Sequence, residues 1–313
     1  MTVDAAALRQ KMYNATLVQL IKANPDLAIM RVKPDFPIPK HTAGQYATLG
    51  LGAWEPRLPD VPPDVIPSDQ QERLIRRAYS ISHPILDENH LLIREPLPYL
   101  EFYIVLLRLT GAGEPSALTP RLFMLQEGDR LYLGEKITGH YTCQFVKPTD
   151  TVLFLSTGTG EAPHHFMLWD LLHRGHQGTI LSICCVRRAA DLGYLQTYRY
   201  LTRQFPNVHY IPLTTREPNQ FGQKLYIQDL LQSGILEQEY KVSLDPANTH
   251  VFLCGNPKMI GAPTLNRQTG ERQLPTTLGV VELLSKRGFQ TDVLAQKKIG
   301  NIHYEEFWKE PAQ

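Results

Sequence analysis

Hydrophobic and polar positions alternate over short distances in the first half of the chain. From Ala15 to about Lys147, short apolar runs are divided by proline and glycine, and no long helical period interrupts them. Many short strands with turn signals between them predict an antiparallel barrel or a sandwich. The clearest predicted strands are residues 28–32, 91–93, 100–107 and 130–133.

From Thr151 onward the pattern changes to apolar runs that alternate with amphipathic segments. This alternation predicts a parallel sheet covered by helices on both faces. In such sheets, ligands bind beyond the carboxyl ends of the strands. The predicted strands are residues 152–155, 179–186, 208–213 and 250–254, and the predicted helices are residues 163–173, 194–205, 227–233, 257–260 and 280–286.

The first of these strands runs into a turn of small residues, Thr157-Gly158-Thr159-Gly160, and Pro163 is predicted at the first helical position. Glycine lets a ligand approach the bare backbone. A helix start offers unpaired N–H groups and positive partial charge. A pyrophosphate fits such a place, although the turn alone is equally compatible with a plain connection that binds nothing.

Three further strand ends carry candidate chemistry. Arg187 follows the second strand, Arg216 follows the third, and Lys224 comes shortly after. Guanidinium groups that converge from neighbouring strand ends suit a dianion such as a 2′-phosphate, because each can bind it bidentately; the alternative is ordinary surface charge. The fourth strand ends at Cys254, before Gly255-Asn256. Its thiol lies either at the mouth of a cleft or, as free cysteines more commonly do, in the apolar interior.

In the first half, Arg77-Ala78-Tyr79-Ser80 combines a phosphate-binding side chain with an aromatic ring. Along a strand, Arg77 and Tyr79 point the same way, so one can fix a phosphate while the other stacks on a flat heterocycle. The alternative is a plain strand with an exposed arginine. Thr119 opens a short helix predicted to run from about residue 118 to 125, which is either a phosphate site or a simple cap.

Composition limits the possible classes of protein. The chain has 313 residues, 42% of them hydrophobic, and a formal net charge of +1. This length allows two domains, and the balanced charge gives no general attraction to nucleic acid or membrane. The cysteines lack the spacing of a zinc or iron–sulfur site and are expected to be reduced thiols. We see no signal peptide or membrane span and expect a cytoplasmic protein. The four cysteines are Cys143, Cys184, Cys185 and Cys254.

Three motifs occur in one order: Arg77-x-Tyr79-Ser80, then Gly158-Thr-Gly160-Glu-Ala-Pro163, then Cys254-Gly-Asn-Pro257. This set resembles the ferredoxin–NADP reductase superfamily, and within it the bacterial ferredoxin/flavodoxin–NADP reductases, over nearly the whole chain. The resemblance implies an N-terminal antiparallel β-barrel that binds FAD, residues 1–147. It also implies a C-terminal α/β domain with a parallel sheet that binds NADP(H), residues 148–313.

The resemblance also implies roles for individual residues. Tyr79, Ser80, Cys254 and Glu305 would act where hydride is transferred. Tyr79 would stack on the flavin, and an aromatic residue of the tail would cover the flavin's other face. Two departures from the family pattern are a proline-rich segment at 54–71, predicted to be a surface loop or lid, and a polar loop at 262–275. The residues implied for FAD are Arg77, Ala78, Tyr79, Ser80, Thr119 and one of Phe307 and Trp308; those implied for NADP(H) are Thr157, Gly158, Thr159, Gly160, Pro163, Arg187, Arg216, Lys224, Gly255 and Asn256.

The implied reaction is hydride exchange between NADP(H) and FAD, with single electrons passed to a ferredoxin or flavodoxin. No cluster-binding cysteine spacing is present, so the electron carrier is expected to be a separate protein. Either Glu305 or Glu306 would supply a carboxylate near the flavin. Delivery to free flavin, a quinone or an oxygenase component is an alternative, and so is a flavoprotein that senses nucleotides without turnover. The chain is expected to act as a monomer.

Overall fold

The computed structural model describes residues 4–108, 116–265, 272–273, 275–293 and 298–306. It divides into two compact units. One comprises Met1–Pro84 and Ile93–Thr142, and the other comprises Ile85–Leu92 and Cys143–Gln313. The domain border between residues 147 and 148 stays a prediction.

The first unit is a closed barrel of six antiparallel strands, in the order β1-β2-β5-β4-β3-β6. An antiparallel barrel, one of the two architectures that the short apolar runs allowed, is thus confirmed. Leu17, Leu49 and Phe102 are among the fully buried side chains of its core. The strands are β1 (Ala15–Asn24), β2 (Leu27–Pro34), β3 (Tyr46–Gly52), β4 (Leu74–Ser82), β5 (Leu100–Val105) and β6 (Arg130–Leu133).

Two stretches of this half differ from the sequence prediction. Residues 91–93 form no barrel strand; Leu92 makes only an isolated bridge with Leu86, because the apolar run is three residues long and ends at a charged pair. The helix predicted over 118–125 is shorter, α2 (Thr119–Leu122). The proline-rich segment 54–71 is a loop, as predicted, with a single 3-10 turn at Ser68–Gln70.

The second unit contains a five-stranded parallel sheet in the order β13-β10-β7-β8-β9. All seven positions of β8 are buried, as expected for a strand covered on both faces. The predicted parallel sheet is therefore confirmed. The strands are β7 (Thr151–Thr157), β8 (Ile180–Val186), β9 (Val208–Thr214), β10 (Thr249–Gly255) and β13 (Ile302–Glu306); β11 (Thr264–Leu265) and β12 (Arg272–Gln273) pair separately within the predicted polar loop.

The helices of the second unit lie within about two residues of their predicted bounds. Among the described residues, two helices were not predicted: α1, which buries none of its residues, and the five-residue α6. Neither carries an apolar stripe long enough to detect. The helices are α1 (Ala5–Met12), α3 (Glu161–His173), α4 (Leu195–Gln204), α5 (Ile227–Gln232), α6 (Ile235–Glu239), α7 (Pro257–Ile260) and α8 (Val280–Ser285).

Candidate functional site

The glycine turn lies between β7 and α3, as a 3-10 turn at Gly158–Gly160. Pro163 is the third residue of α3 rather than the first. The helix begins earlier than predicted because the first-turn N–H groups have no intrahelical partners, so proline is tolerated throughout that turn. Gly158 has φ +54°, and a Cβ placed on it meets nothing within 4 Å. Its open side leaves room for a ligand to reach the backbone.

The glycine turn packs against the turn that follows β10. A Cβ on Gly160 would lie 2.2 Å from the carbonyl oxygen of Cys254, and a Cβ on Gly255 would lie 2.2 Å from Thr157 Oγ1. The backbone N–H of Asn256 donates to Thr157 Oγ1 at 2.8 Å. The two turns, far apart in sequence, are therefore joined at a backbone spacing that only glycine permits.

Cys254 is fully buried beside Ser156 and Glu305 in the sheet register. Burial raises the pKa of its thiol well above the usual value, and the nearby carboxylate of Glu305 raises it further. The thiol is therefore neutral and cannot act as a thiolate. Glu306 lies opposite Gly255 in the same register, whereas Phe307 and Trp308 lie outside the described residues.

Arg187 and Arg216 follow neighbouring strands and are brought together. The backbone N–H of Arg216 donates to the carbonyl of Arg187 at 2.9 Å, and both side chains are exposed. Within the described part of the chain, neither guanidinium makes an ion pair. Lys224 lies on the loop that follows β9, with its ammonium 5.0 Å from the ring centroid of Tyr226. Tyr226 was not predicted, although an exposed aromatic ring beside a cation is a surface on which a purine can stack.

In the barrel unit, a polar cluster joins β4 to the start of α2. Arg77 Nη1 donates to Ser116 Oγ at 3.2 Å, and the Tyr79 hydroxyl lies 3.3 Å from Thr119 Oγ1. Ser116 Oγ donates to Thr119 Oγ1 at 3.0 Å. Burial raises the pKa of Tyr79, so its phenol is neutral. An exposed guanidinium beside two hydroxyls is a donor set that fits a phosphate.

The structure thus brings three of the predicted flavin residues together and adds Ser116, which the sequence analysis missed. Ala78 and Ser80 alternate with Arg77 and Tyr79 in an unbroken β3–β4 register. By strand alternation their side chains lie on the opposite face. Ser80 is therefore not part of the phosphate cluster.

Behind the glycine turn, α3 begins with a fully buried carboxyl, Glu161. Burial raises its pKa to about 7, although the neighbouring Tyr210 hydroxyl and Cys184 thiol favour the charged form. His164, one turn further along α3, is buried too, and burial lowers its pKa to about 3. An acid that titrates near neutrality thus lies at a helix N-terminus where an anionic ligand is expected.

We expect the Glu161→Gln variant to gain stability over the wild type as pH rises. The folded-state pKa of Glu161 is raised from 4.5 to about 7, so the folded chain holds more protons between these values and its stability falls there as pH rises. The shift corresponds to about 3 kcal/mol. Urea unfolding between pH 4.5 and 8 measures the difference in unfolding free energy between variant and wild type. Groups such as His164, whose lowered pKa makes stability rise with pH, contribute equally to both proteins and cancel in this difference. If the unfolding free energies of variant and wild type changed in parallel with pH, the raised pKa of Glu161 would be contradicted.

Two kinds of feature are absent from the described residues. No helix among them has the length and apolarity needed to cross a bilayer. No group of three or more histidine, cysteine, aspartate or glutamate side chains among them is arranged to hold a metal ion.

Sequence comparisons place this chain beside known reductases. Residues 154–264 match the family model of the oxidoreductase NAD-binding domain. The flavodoxin/ferredoxin–NADP reductase of Buchnera aphidicola subsp. Schizaphis graminum is 30% identical over 191 residues, which cover 61% of this chain and 68% of that protein. The flavodoxin/ferredoxin–NADP reductase of Escherichia coli (strain K12) is 27% identical over 226 residues, covering 72% of this chain and 77% of that protein.

Solved structures share the fold. A ferredoxin NADP+ reductase from Neisseria gonorrhoeae with bound FAD and NADP has a TM-score of 0.67 at 22% identity, covering 94% of this chain and 98% of that one. The ferredoxin-NADP+ reductase from Plasmodium falciparum with 2′P-AMP has a TM-score of 0.59 at 16% identity, covering 95% and 97%. At such identities the likeness establishes the architecture of the chain.

Proposed function

This chain belongs to the flavodoxin/ferredoxin–NADP reductase family, and we propose that it exchanges hydride with NADP(H) through FAD and single electrons with a ferredoxin or flavodoxin. The observation that carries the proposal is the common edge of the parallel sheet. There the open side of Gly158 follows β7, while the exposed Arg187 and Arg216 follow β8 and β9. A phosphate-binding turn and two guanidinium groups at one edge suit a nucleotide that carries a 2′-phosphate.

In the NADP(H) site, the glycine turn would take the pyrophosphate and the two arginines the 2′-phosphate. The backbone at Gly158 is accessible because no side chain lies in its open space. Lys224 and Tyr226 lie together on the loop after β9, where they would flank the adenine. Arg187 and Arg216 would therefore select NADP(H) over NAD(H), which lacks the second phosphate.

In the FAD site, Arg77, Ser116 and Thr119 would hold the flavin's phosphates, and Tyr79 would support its ring. Their mutual hydrogen bonds hold the donors in place before a ligand arrives. This limits the ordering cost of binding. FAD, when bound, supplies the step between two-electron and one-electron chemistry.

Near the reacting atoms, the residues at the ends of β10 and β13 would exclude water and offer a proton. The neutral, buried thiol of Cys254 is small and adds no charge beside a nicotinamide. Glu305 lies opposite it in the register and would be the carboxylate able to exchange a proton with solvent. These roles rest on the backbone register of the two strands.

Anaerobic stopped-flow absorbance of the FAD-loaded protein tests the proposal. We expect NADPH to bleach the flavin band at least about tenfold faster than NADH, the ratio that 1.4 kcal/mol of selective binding produces. The bleached protein should then reduce a ferredoxin or flavodoxin faster than free FMN or a quinone. A reversed acceptor order would contradict the partner assignment, and failure to bind FAD would overturn the proposed function itself.

A further inference from the structure

The proline-rich segment of residues 54–71 is held against α2 by one ion pair between two largely buried side chains. Arg121, on α2, is 4% exposed, and its Nη1 donates to Asp64 at 2.6 Å. Arg57 contacts the other oxygen of Asp64 at 3.0 Å. Arg121 Nη2 also donates to the carbonyl of Ala53 at 3.0 Å. A carboxylate shared by two arginines with little solvent access gives the loop a defined position.

The fixed segment borders a solvent-open cavity of about 330 Å³. Its walls combine a large flat aromatic ring and an aliphatic side chain with amide, carboxylate and guanidinium groups. The Nε–H of Arg121 is buried and makes no hydrogen bond within the described residues. A buried donor without an acceptor costs free energy unless a ligand or water supplies one. The lining residues are Ala53, Trp54, Asp64, Ile66, Gln71 and Arg121.

The cavity lies next to the phosphate cluster along two elements. On α2, Arg121 is two residues beyond Thr119. On β4, Arg77 is three residues from Leu74, about 10 Å along the strand, and Leu74 pairs with Gly52, the residue before Ala53. A ligand that runs along β4 from Tyr79 to Arg77 therefore meets this cavity when it continues in the same direction.

We propose that this cavity binds the adenine of FAD, and that the 54–71 segment makes the barrel select FAD over FMN. The inference rests on the proposed function, because the order of ring, phosphates and adenine follows the placement of FAD on β4. A purine would lie flat between Trp54 and Ile66. A ring nitrogen of the purine would accept the unpaired Nε–H of Arg121, and the exocyclic amine would donate to Asp64. FMN has no group to place there.

Binding of FAD and FMN to the flavin-free protein, followed by quenching of flavin fluorescence, tests this assignment without turnover. Ile66→Trp fills the cavity and should weaken FAD binding at least about tenfold while leaving FMN binding within about twofold, since the loss of one stacked base has an effect of that order. Val65→Trp is the matched control, because Val65 is 95% exposed and its substitution should change neither affinity. Equal losses for FAD and FMN, or no loss for either, would overturn the proposal.

A second variant covers the case in which Ile66→Trp disturbs the fold. Trp54→Leu removes the flat wall and keeps an apolar side chain, and it should raise the dissociation constant for FAD about 5-fold or more with that for FMN unchanged. An unchanged ratio of the two affinities in Trp54→Leu would overturn the adenine site. A wild-type protein that binds neither flavin would instead overturn the proposed function. Tight FAD binding by the wild type, with the ratio of FAD to FMN affinity unaltered in both variants, would overturn only the adenine site.

Discussion

Replacing both Arg187 and Arg216 with alanine should lower kcat/KM for NADPH by about a thousandfold and leave that for NADH within about twofold. Hydrogen bonds to charged groups contribute about 1.5–3 kcal/mol each, so two of them correspond to a factor of roughly a hundred to ten thousand. Both side chains are exposed, and their backbones are hydrogen-bonded to each other. Their removal therefore takes charge from the ligand's site without opening the core.

The measurement is steady-state reduction of a dye acceptor with each nucleotide, together with binding of 2′-phospho-AMP. Arg188→Ala is the matched control, because Arg188 is also exposed and is adjacent to Arg187 but lies outside the pair joined across the strand ends. We expect this control to keep its preference for NADPH. Equal losses with NADPH and NADH in the double variant would show that the arginines do not recognise the 2′-phosphate.

The second half of the fold was predicted well because its hydrophobic pattern has a single physical explanation. A strand buried on both faces, such as β8, must be apolar throughout, and the helices between such strands repeat at helical spacing. In the first half, the same short runs fitted a barrel and a sandwich equally. Closure depends on long-range pairings such as β1 with β6, which local pattern does not encode.

The strand β13 shows where hydrophobic pattern fails altogether. Ile302 is its one aliphatic residue, followed by His303, Tyr304 and two glutamates. It forms a strand because it pairs with β10 at the edge of the sheet, so tertiary contacts rather than local sequence determine its conformation. Its residues were identified as candidates by family resemblance alone, because the hydrophobic pattern predicts no strand there.

The residues of the candidate site also fall into those that local sequence predicts and those that depend on tertiary structure. Arg77 and Tyr79 were predicted to share a face because alternation along a strand is local, and the structure brings both to the hydroxyls at the start of α2. Ser116 was missed because a lone serine carries no periodic signal. The buried ionisable Glu161 was also missed, because its pKa follows from burial by elements distant in sequence.

The Gly160→Ala variant should lose about 3 kcal/mol or more of stability, near the upper end of the usual range for overpacking. Gly160 has φ −59°, which any residue can adopt, so its requirement for glycine is one of space. The new Cβ would lie 2.2 Å from the carbonyl oxygen of Cys254. Relief requires the turn after β7 to separate from the turn after β10, which carries Asn256.

Gly158→Ala, unlike Gly160→Ala, is expected to lose NADP+ binding at only a modest cost in stability. Its φ of +54° costs an alanine about 1–2 kcal/mol, and its Cβ meets no protein atom but enters the space proposed for the pyrophosphate. Gly175→Ala has a similar φ, +73°, with equally open surroundings at the far end of α3, and controls for backbone strain alone.

Urea unfolding and NADP+ binding should together separate the three variants: a large stability loss for Gly160→Ala, and lost binding at modest stability cost for Gly158→Ala. For Gly175, only the modest stability cost is expected. NADP+ affinity that survives in Gly158→Ala would mean that the ligand does not approach the backbone of this turn.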